Sequence, residues 1–85
     1  MNEEYRALFH SEMEKDCVLM RGFIEVADWP GLALLAHRIR GRARVMGFDE
    51  FEDICTDLED RAQAEDLYGV GLAMESLARA LLDRR

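Results

Sequence analysis

The sequence predicts an all-α fold, an antiparallel up-down-up-down four-helix bundle. Three observations predict it. Period-2 alternation and β-branched runs are absent from the 85 residues, so no segment reads as a strand. Apolar residues recur instead at three- and four-residue steps in four segments that take up nearly the whole chain. The connections between those segments are short, about two to four residues each, which makes consecutive helices antiparallel neighbours.

The first helix is expected from about Asn2 to Val26, with Phe9, Met13, Cys17, Met20, Ile24 and Ala27 on its buried face. Leu8, Leu19 and Val26 form a second stripe beside it. That stripe is either core at the widest part of the bundle, a docking surface for a partner, or a dimer contact. Gly22 bends this helix or permits close packing; the sequence does not separate the two.

Ala27-Asp28-Trp29-Pro30-Gly31 is the first break. Asp28 is a good N-cap, and Pro30 is tolerated in a first turn whose amides have no intrahelical acceptor. The second helix runs to about Met46, and Gly47 ends it as a C′ residue with positive φ. The third begins with Asp49-Glu50, carboxylates that favour the helix dipole, and buries Phe51, Ile54, Cys55, Leu58 and Ala62. The acid run Asp57, Glu59, Asp60 reads as its solvated face. Asp66 caps the fourth helix, on which Leu67, Val70, Met74, Leu77 and Leu81 repeat, with Arg84-Arg85 at the carboxyl end. Gly69-Val70-Gly71 lacks a preceding strand and reads as loose first-turn packing. Met13, Met20, Met46 and Met74 read as core gap-fillers, and His10 as a structural or exposed histidine.

Residues 1–85 form one small domain that must build its core efficiently. Cys17 and Cys55 fit no metal-ligand spacing and read as buried free thiols of a reducing, cytoplasmic protein. The amino terminus is acidic and lacks a signal-type apolar stretch, and the longest apolar run, Leu32 to Ala36, is too short to span a bilayer. A net charge of −7 disfavours nucleic acid as a partner, because phosphate contacts need a basic footprint.

Against that acidic background stands His37-Arg38-Ile39-Arg40-Gly41-Arg42-Ala43-Arg44, a window with four arginines and no acid. With His37 at azimuth zero, Arg40 falls near −60°, Gly41 near +40° and Arg44 near −20°, taking about 100° per residue. Leu32, Leu35, Ile39, Ala43 and Met46 cluster on the opposite side and must face the core. The histidine therefore faces water. An exposed mid-helix glycine at 41 costs about 1 kcal/mol relative to alanine, a cost understandable where a partner must approach the imidazole.

Ala36-His37-Arg38-Ile39-Arg40-Gly41, then Gly47, then Cys55-x-x-Leu58-Glu59, resembles the histidine-containing phosphotransfer (HPt) domain, whose motif is usually written His-x-Leu-Lys-Gly. The resemblance covers about Val26 to Ala62, and the flanking helices only by pattern. It implies a phosphorelay: His37 accepts a phosphoryl group from a receiver-domain aspartate and passes it to another receiver. The protein is then a phosphocarrier without turnover or a cofactor of its own, and Mg²⁺ belongs to the partner receiver. Its implied partners are a response-regulator receiver domain and a sensor or hybrid histidine kinase.

In that picture Arg40 and Arg44 hold the transferred phosphoryl dianion through charge-assisted hydrogen bonds, Gly41 opens steric access, and Gly47 closes the helix. Arg38 and Arg42, with Leu8, Leu19 and Val26, are the candidates for partner docking. Arg40 stands where the family commonly has lysine, replacing a compact ammonium with a planar fork. Arg42 occupies a usually small position and points toward a helix interface. A monomer is expected.

Three other classes compete: an adaptor of the same fold that binds without transferring phosphate, a nucleic-acid binder using the four arginines, and a helical oligomerisation module.

Overall fold

The computed structural model describes residues 3–83 and contains four helices in chain order. They are α1 (Glu3–Glu25), α2 (Trp29–Met46), α3 (Asp49–Gln63) and α4 (Leu67–Asp83). Asn2 and Arg84-Arg85, placed by the sequence at the two ends, lie outside the described residues.

The three connections share one construction. A residue in the left-handed region follows each helix: Ala27 (φ 55°), Gly47 (φ 73°) and Glu65 (φ 54°). The next amide reaches back to a carbonyl of the finished helix: Asp28 to Phe23 at 2.8 Å, Phe48 to Ala43 at 2.9 Å and Asp66 to Arg61 at 3.0 Å. These are Schellman closures, and the residue that completes each one also opens the following helix. Asp28 and Asp66 act as side-chain N-caps, accepting from the Gly31 amide at 3.0 Å and the Gly69 amide at 2.9 Å. Gly47 ends α2 as expected. Ala27 does not join the buried stripe of α1, because the left-handed turn swings it into solvent.

Gly69 is not loose packing. A Cβ there would collide with the Asp66 carboxylate and the Arg61 guanidinium, so the glycine lets both side chains close over the first turn of α4. Gly31 answers the same need at Asp28, where a Cβ would come within 2.7 Å of the carboxylate. Gly22 has open space around it, with nothing among the described residues within 4 Å of where a Cβ would stand.

α2 packs against α3, α3 against α4, and α1 against α2 and, more lightly, α4. Cross-helix pairs fix the directions. His37 meets Glu59 while Arg44 meets Glu52, so α2 and α3 run antiparallel. Arg42 meets Asp16 while Phe48, just past α2, meets Phe9, so α1 and α2 do too. α4 returns after a three-residue connection (64–66) in the manner of a helical hairpin.

Met13, Met20, Leu32, Ile39, Cys55, Leu58, Val70 and Leu77 are sealed in the core. Phe9, Phe48 and Phe51 close one end as edge-to-face rings, centroids 4.7 to 6.4 Å apart. Phe48 thus leads α3 by packing, without a side-chain cap. Ile24, Leu35, Met46, Ile54 and Met74 pack at the core's edge, half-buried. Leu67, expected on the buried stripe of α4, is exposed. The wide-core reading of Leu8, Leu19 and Val26 is also overturned: they are 57%, 55% and 75% exposed, because α2 and α4 both approach α1 from its other side. Cys17 and Cys55 are buried free thiols. His10 lies half-buried beside the aromatic end, its Nε2 enclosed without a hydrogen-bond partner.

Candidate functional site

Capping by Asp28 fixes where α2 starts, and the sealed Leu32, Ala36, Ile39 and Ala43 fix its rotation. His37 is thereby turned outward, its side chain 55% exposed. From α3, the buried Cys55, Leu58 and Ala62 turn Glu59 toward the same edge, where its side chain is only 14% exposed. Glu59 is not part of a solvated acid face. Its neighbours Asp57 and Asp60 are exposed, Asp57 being bound by Arg61 at 2.8 Å, whereas Glu59 turns in against α2.

Both Glu59 carboxylate oxygens lie close to Nδ1 of His37, at 3.3 and 3.2 Å. Arg40 completes the group: its Nη1 is 3.3 Å from Glu59 Oε1 and its Nη2 is 3.3 Å from His37 Nδ1. Nδ1 cannot serve both neighbours. A lone pair there would face the carboxylate, whereas an N–H there donates to it, and Arg40 is satisfied by the same carboxylate. In the neutral ring an Nδ1–H donating to Glu59 leaves the lone pair on Nε2. That nitrogen is the group able to do nucleophilic chemistry.

Beside His37 a cleft of about 460 Å³ opens between the first half of α2 and the last turns of α3. Trp29, Pro30, Ala33 and Leu34 form its apolar wall, and Glu59 and Glu65 supply acids. Gly41, one turn beyond His37, is exposed, and a Cβ there would meet nothing within 4 Å. Nothing among the described residues calls for a glycine at that position.

The basic run is largely neutralised across helix boundaries. Arg40 is paired with Glu59, Arg42 with the buried Asp16, and Arg44 with Glu52 at 2.8 Å. Arg38 alone of the four is exposed with no ion pair among the described residues. Arg42, a candidate for docking, pairs with Asp16 and so ties α2 to α1, the helix its azimuth faces. Arg44 lies two turns from His37 and is drawn to α3. A continuous cationic footprint for nucleic acid is therefore absent on this face. Among the described residues no group of three or more His, Cys, Asp or Glu is placed to hold a metal ion, and no helix is long and apolar enough to cross a membrane.

A family model described as the Hpt domain matches residues 4–84, nearly the whole chain. The chain belongs to the Hpt domain family. No curated protein and no solved structure matches it. Hpt domains carry phosphoryl groups between histidine and aspartate in two-component signalling, as phosphocarriers and not turnover enzymes.

Within this Hpt domain the sequence reading places His37, Arg40 and Gly41 at one site, and the structure brings them together there. It misses Glu59 and the cleft. A signal for Glu59 was present: His37 and Glu59 stand nearly equidistant from the turn at Gly47 and Phe48, so an antiparallel pair sets them side by side.

Proposed function

We propose that His37 is the phosphoacceptor of a phosphorelay, receiving its phosphoryl group from a receiver-domain aspartate or a hybrid kinase and passing it to a response-regulator receiver. The observation that carries this reading is the outward imidazole whose Nδ1 is held by both oxygens of Glu59. The Nε2 lone pair attacks phosphorus, a P–N bond forms, and the P–O bond to the donor aspartate breaks. The electron pair leaves with that carboxylate, and no proton has to move. The ring gains positive charge as the bond forms, and the Glu59 carboxylate opposes it through Nδ1–H. Return of the group to a second aspartate is the same step reversed.

Arg40 has further N–H donors beyond the pair it makes with Glu59, and these meet the phosphoryl oxygens on Nε2. Arg44, held by Glu52, contributes only as a more distant positive charge. Gly41 admits the partner's loop close to the imidazole. The receiver docks over the cleft, its apolar surface against Trp29, Pro30 and Leu34 and an acidic group near Arg38. It brings its own Mg²⁺, so chemistry at His37 needs no metal from this chain. The reading also sets the protein to work in the cytoplasm, where receivers and kinase catalytic domains meet.

Incubation with a phosphorylated receiver, followed by acid-labile label and by phosphorus–nitrogen coupling in NMR, tests this. The parent chain takes label at Nε2 and the His37→Gln chain takes none. Equal labelling of the two overturns the proposal, and tight receiver binding without label on the parent indicates an adaptor.

A further inference from the structure

The cleft beside His37 carries acid without base. Its walls hold two carboxylates, Glu59 and Glu65, and neither lysine nor arginine. Glu59 is satisfied by Arg40 and by His37. Glu65 is exposed and makes no ion pair or side-chain hydrogen bond among the described residues. Its left-handed backbone, φ 54°, belongs to the closure of α3 and sets it at the far end of the cleft, where Trp29 starts α2.

We infer that this end of the cleft receives an arginine side chain from the docking face of the receiver, and that Glu65 selects receivers that carry one. The inference rests on the reading of His37 as the acceptor of a receiver's phosphoryl group. An arginine has an apolar stem, a planar cation that stacks on an aromatic face, and a fork of N–H donors that matches a carboxylate. The cleft offers a counterpart to each: the apolar side chains of Ala33 and Leu34, the indole of Trp29 and the free carboxylate of Glu65. Its volume of about 460 Å³ lies within the roughly 300–1,000 Å³ of ordinary ligand sites, so a whole side chain enters. An acidic group in the same place would meet two carboxylates and no cation.

Charge then fixes orientation. Arg38, exposed and without an ion pair among the described residues, projects about 100° round α2 from His37, on the side away from Arg40 and Glu59. Glu65 lies on the α3 side. A receiver that brings an acid to Arg38 and an arginine to Glu65 seats across His37 in one orientation, and the reverse orientation sets like charges together. Trp29 stands eight residues before His37, about 12 Å along the helix axis. The arginine therefore acts on binding and not on formation of the P–N bond.

Titration of the nitrogen-15-labelled chain with N-acetyl-arginine amide, followed by NMR, tests the pocket. Shifts concentrate at the Trp29 indole N–H and the Gln63 and Glu65 amides, and the neutral isostere N-acetyl-citrulline amide gives none at equal ionic strength. Glu65→Gln removes the response. Glu65→Asn removes it too, and asparagine takes the left-handed turn readily, so the fold is kept. Labelling with the receiver that phosphorylates the parent fastest tests the occupant. Glu65→Lys raises the receiver concentration for half-maximal rate about tenfold and leaves the saturated rate unchanged. Glutamate in place of one arginine on the receiver's docking face restores the affinity of that variant. Equal shifts from the two amides, arginine shifts scattered over other acidic faces, or an unchanged half-maximal concentration in Glu65→Lys each overturn the inference, while label on the parent still upholds phosphotransfer. Absence of label on the parent overturns the reading of His37 and, with it, the receiver as the source of the arginine.

Discussion

Both carboxylate oxygens of Glu59 lie within 3.3 Å of Nδ1 of His37, across the boundary between α3 and α2. A half-exposed imidazole would otherwise rotate and exchange tautomers freely. The pairing holds the ring, favours hydrogen on the inner nitrogen and leaves the outer one outside the network.

Glu59→Gln keeps an acceptor near Nδ1 but removes its charge. A charge-assisted hydrogen bond contributes about 1.5–3 kcal/mol when shielded, and this one is partly solvated. Transfer to His37 is therefore expected to slow by about tenfold, each 1.4 kcal/mol being a factor of ten. Rapid-quench labelling measures the rate. Nitrogen-15 shifts of His37 are expected to show a mixture of tautomers in Glu59→Ala and a single one in the parent.

Arg40 and Arg44 are expected to separate in their effects. Arg40 touches both His37 and Glu59, so Arg40→Ala shortens the lifetime of the phosphohistidine and slows its formation by about tenfold or more. Arg44 is exposed and bound to Glu52, and an exposed ion pair contributes about 0–1 kcal/mol. Arg44→Ala is expected to lower stability by no more than about 1 kcal/mol and to change label lifetime by less than about twofold. Decay of labelled protein at fixed pH measures both.

Gly41 predicts opposite signs for stability and function. Alanine fits without contact, so Gly41→Ala raises unfolding free energy by about 0.5–1 kcal/mol in urea titration. Gly41→Gln is helix-favouring too, but its side chain occupies the approach to His37. It is expected to weaken receiver binding and slow transfer while melting no lower than the parent.

Burial pushes the Cys55 thiol up to about 12, and the neighbouring Cys17 thiol adds to the shift. Burial raises Cys17 as well. A raised folded value favours the protonated native state, so this contribution is complete below the ordinary value of 9.0 and is lost as pH climbs toward 12. The slope reaches about 1.4 kcal/mol per pH unit for each thiol. Cys55→Ala is expected to flatten the alkaline decline relative to the parent in urea titrations between about pH 9 and 10.5. Neither thiol is expected to react with alkylating reagents at pH 7 before unfolding, which a mass measurement checks.

The elements were legible in the sequence because their signals are local. Asp28, Pro30, Gly47 and Asp66 mark boundaries through hydrogen bonds and φ preferences that act over a few residues. Ala27 and Glu65 take the same left-handed conformation as Gly47 without any compositional signal, since the Schellman bonds impose it. The basic run misled for a related reason. Its density along the chain is real, but Asp16, Glu52 and Glu59 on neighbouring helices absorb three of its four charges.

The sequence by itself determined that four helices form, where they end, and that His37 points away from the apolar stripe of its own helix. Helical periodicity settles those matters one segment at a time. Only the tertiary structure decided that Glu59 pairs with the imidazole, that Arg40 reaches both of them while Arg42 pairs with α1 and Arg44 with α3, and that Leu8 and Leu19 stay more than half exposed. Each of these depends on which side chain a neighbouring helix brings opposite. That is set by the register and tilt of packing between helices, and no single helix carries it.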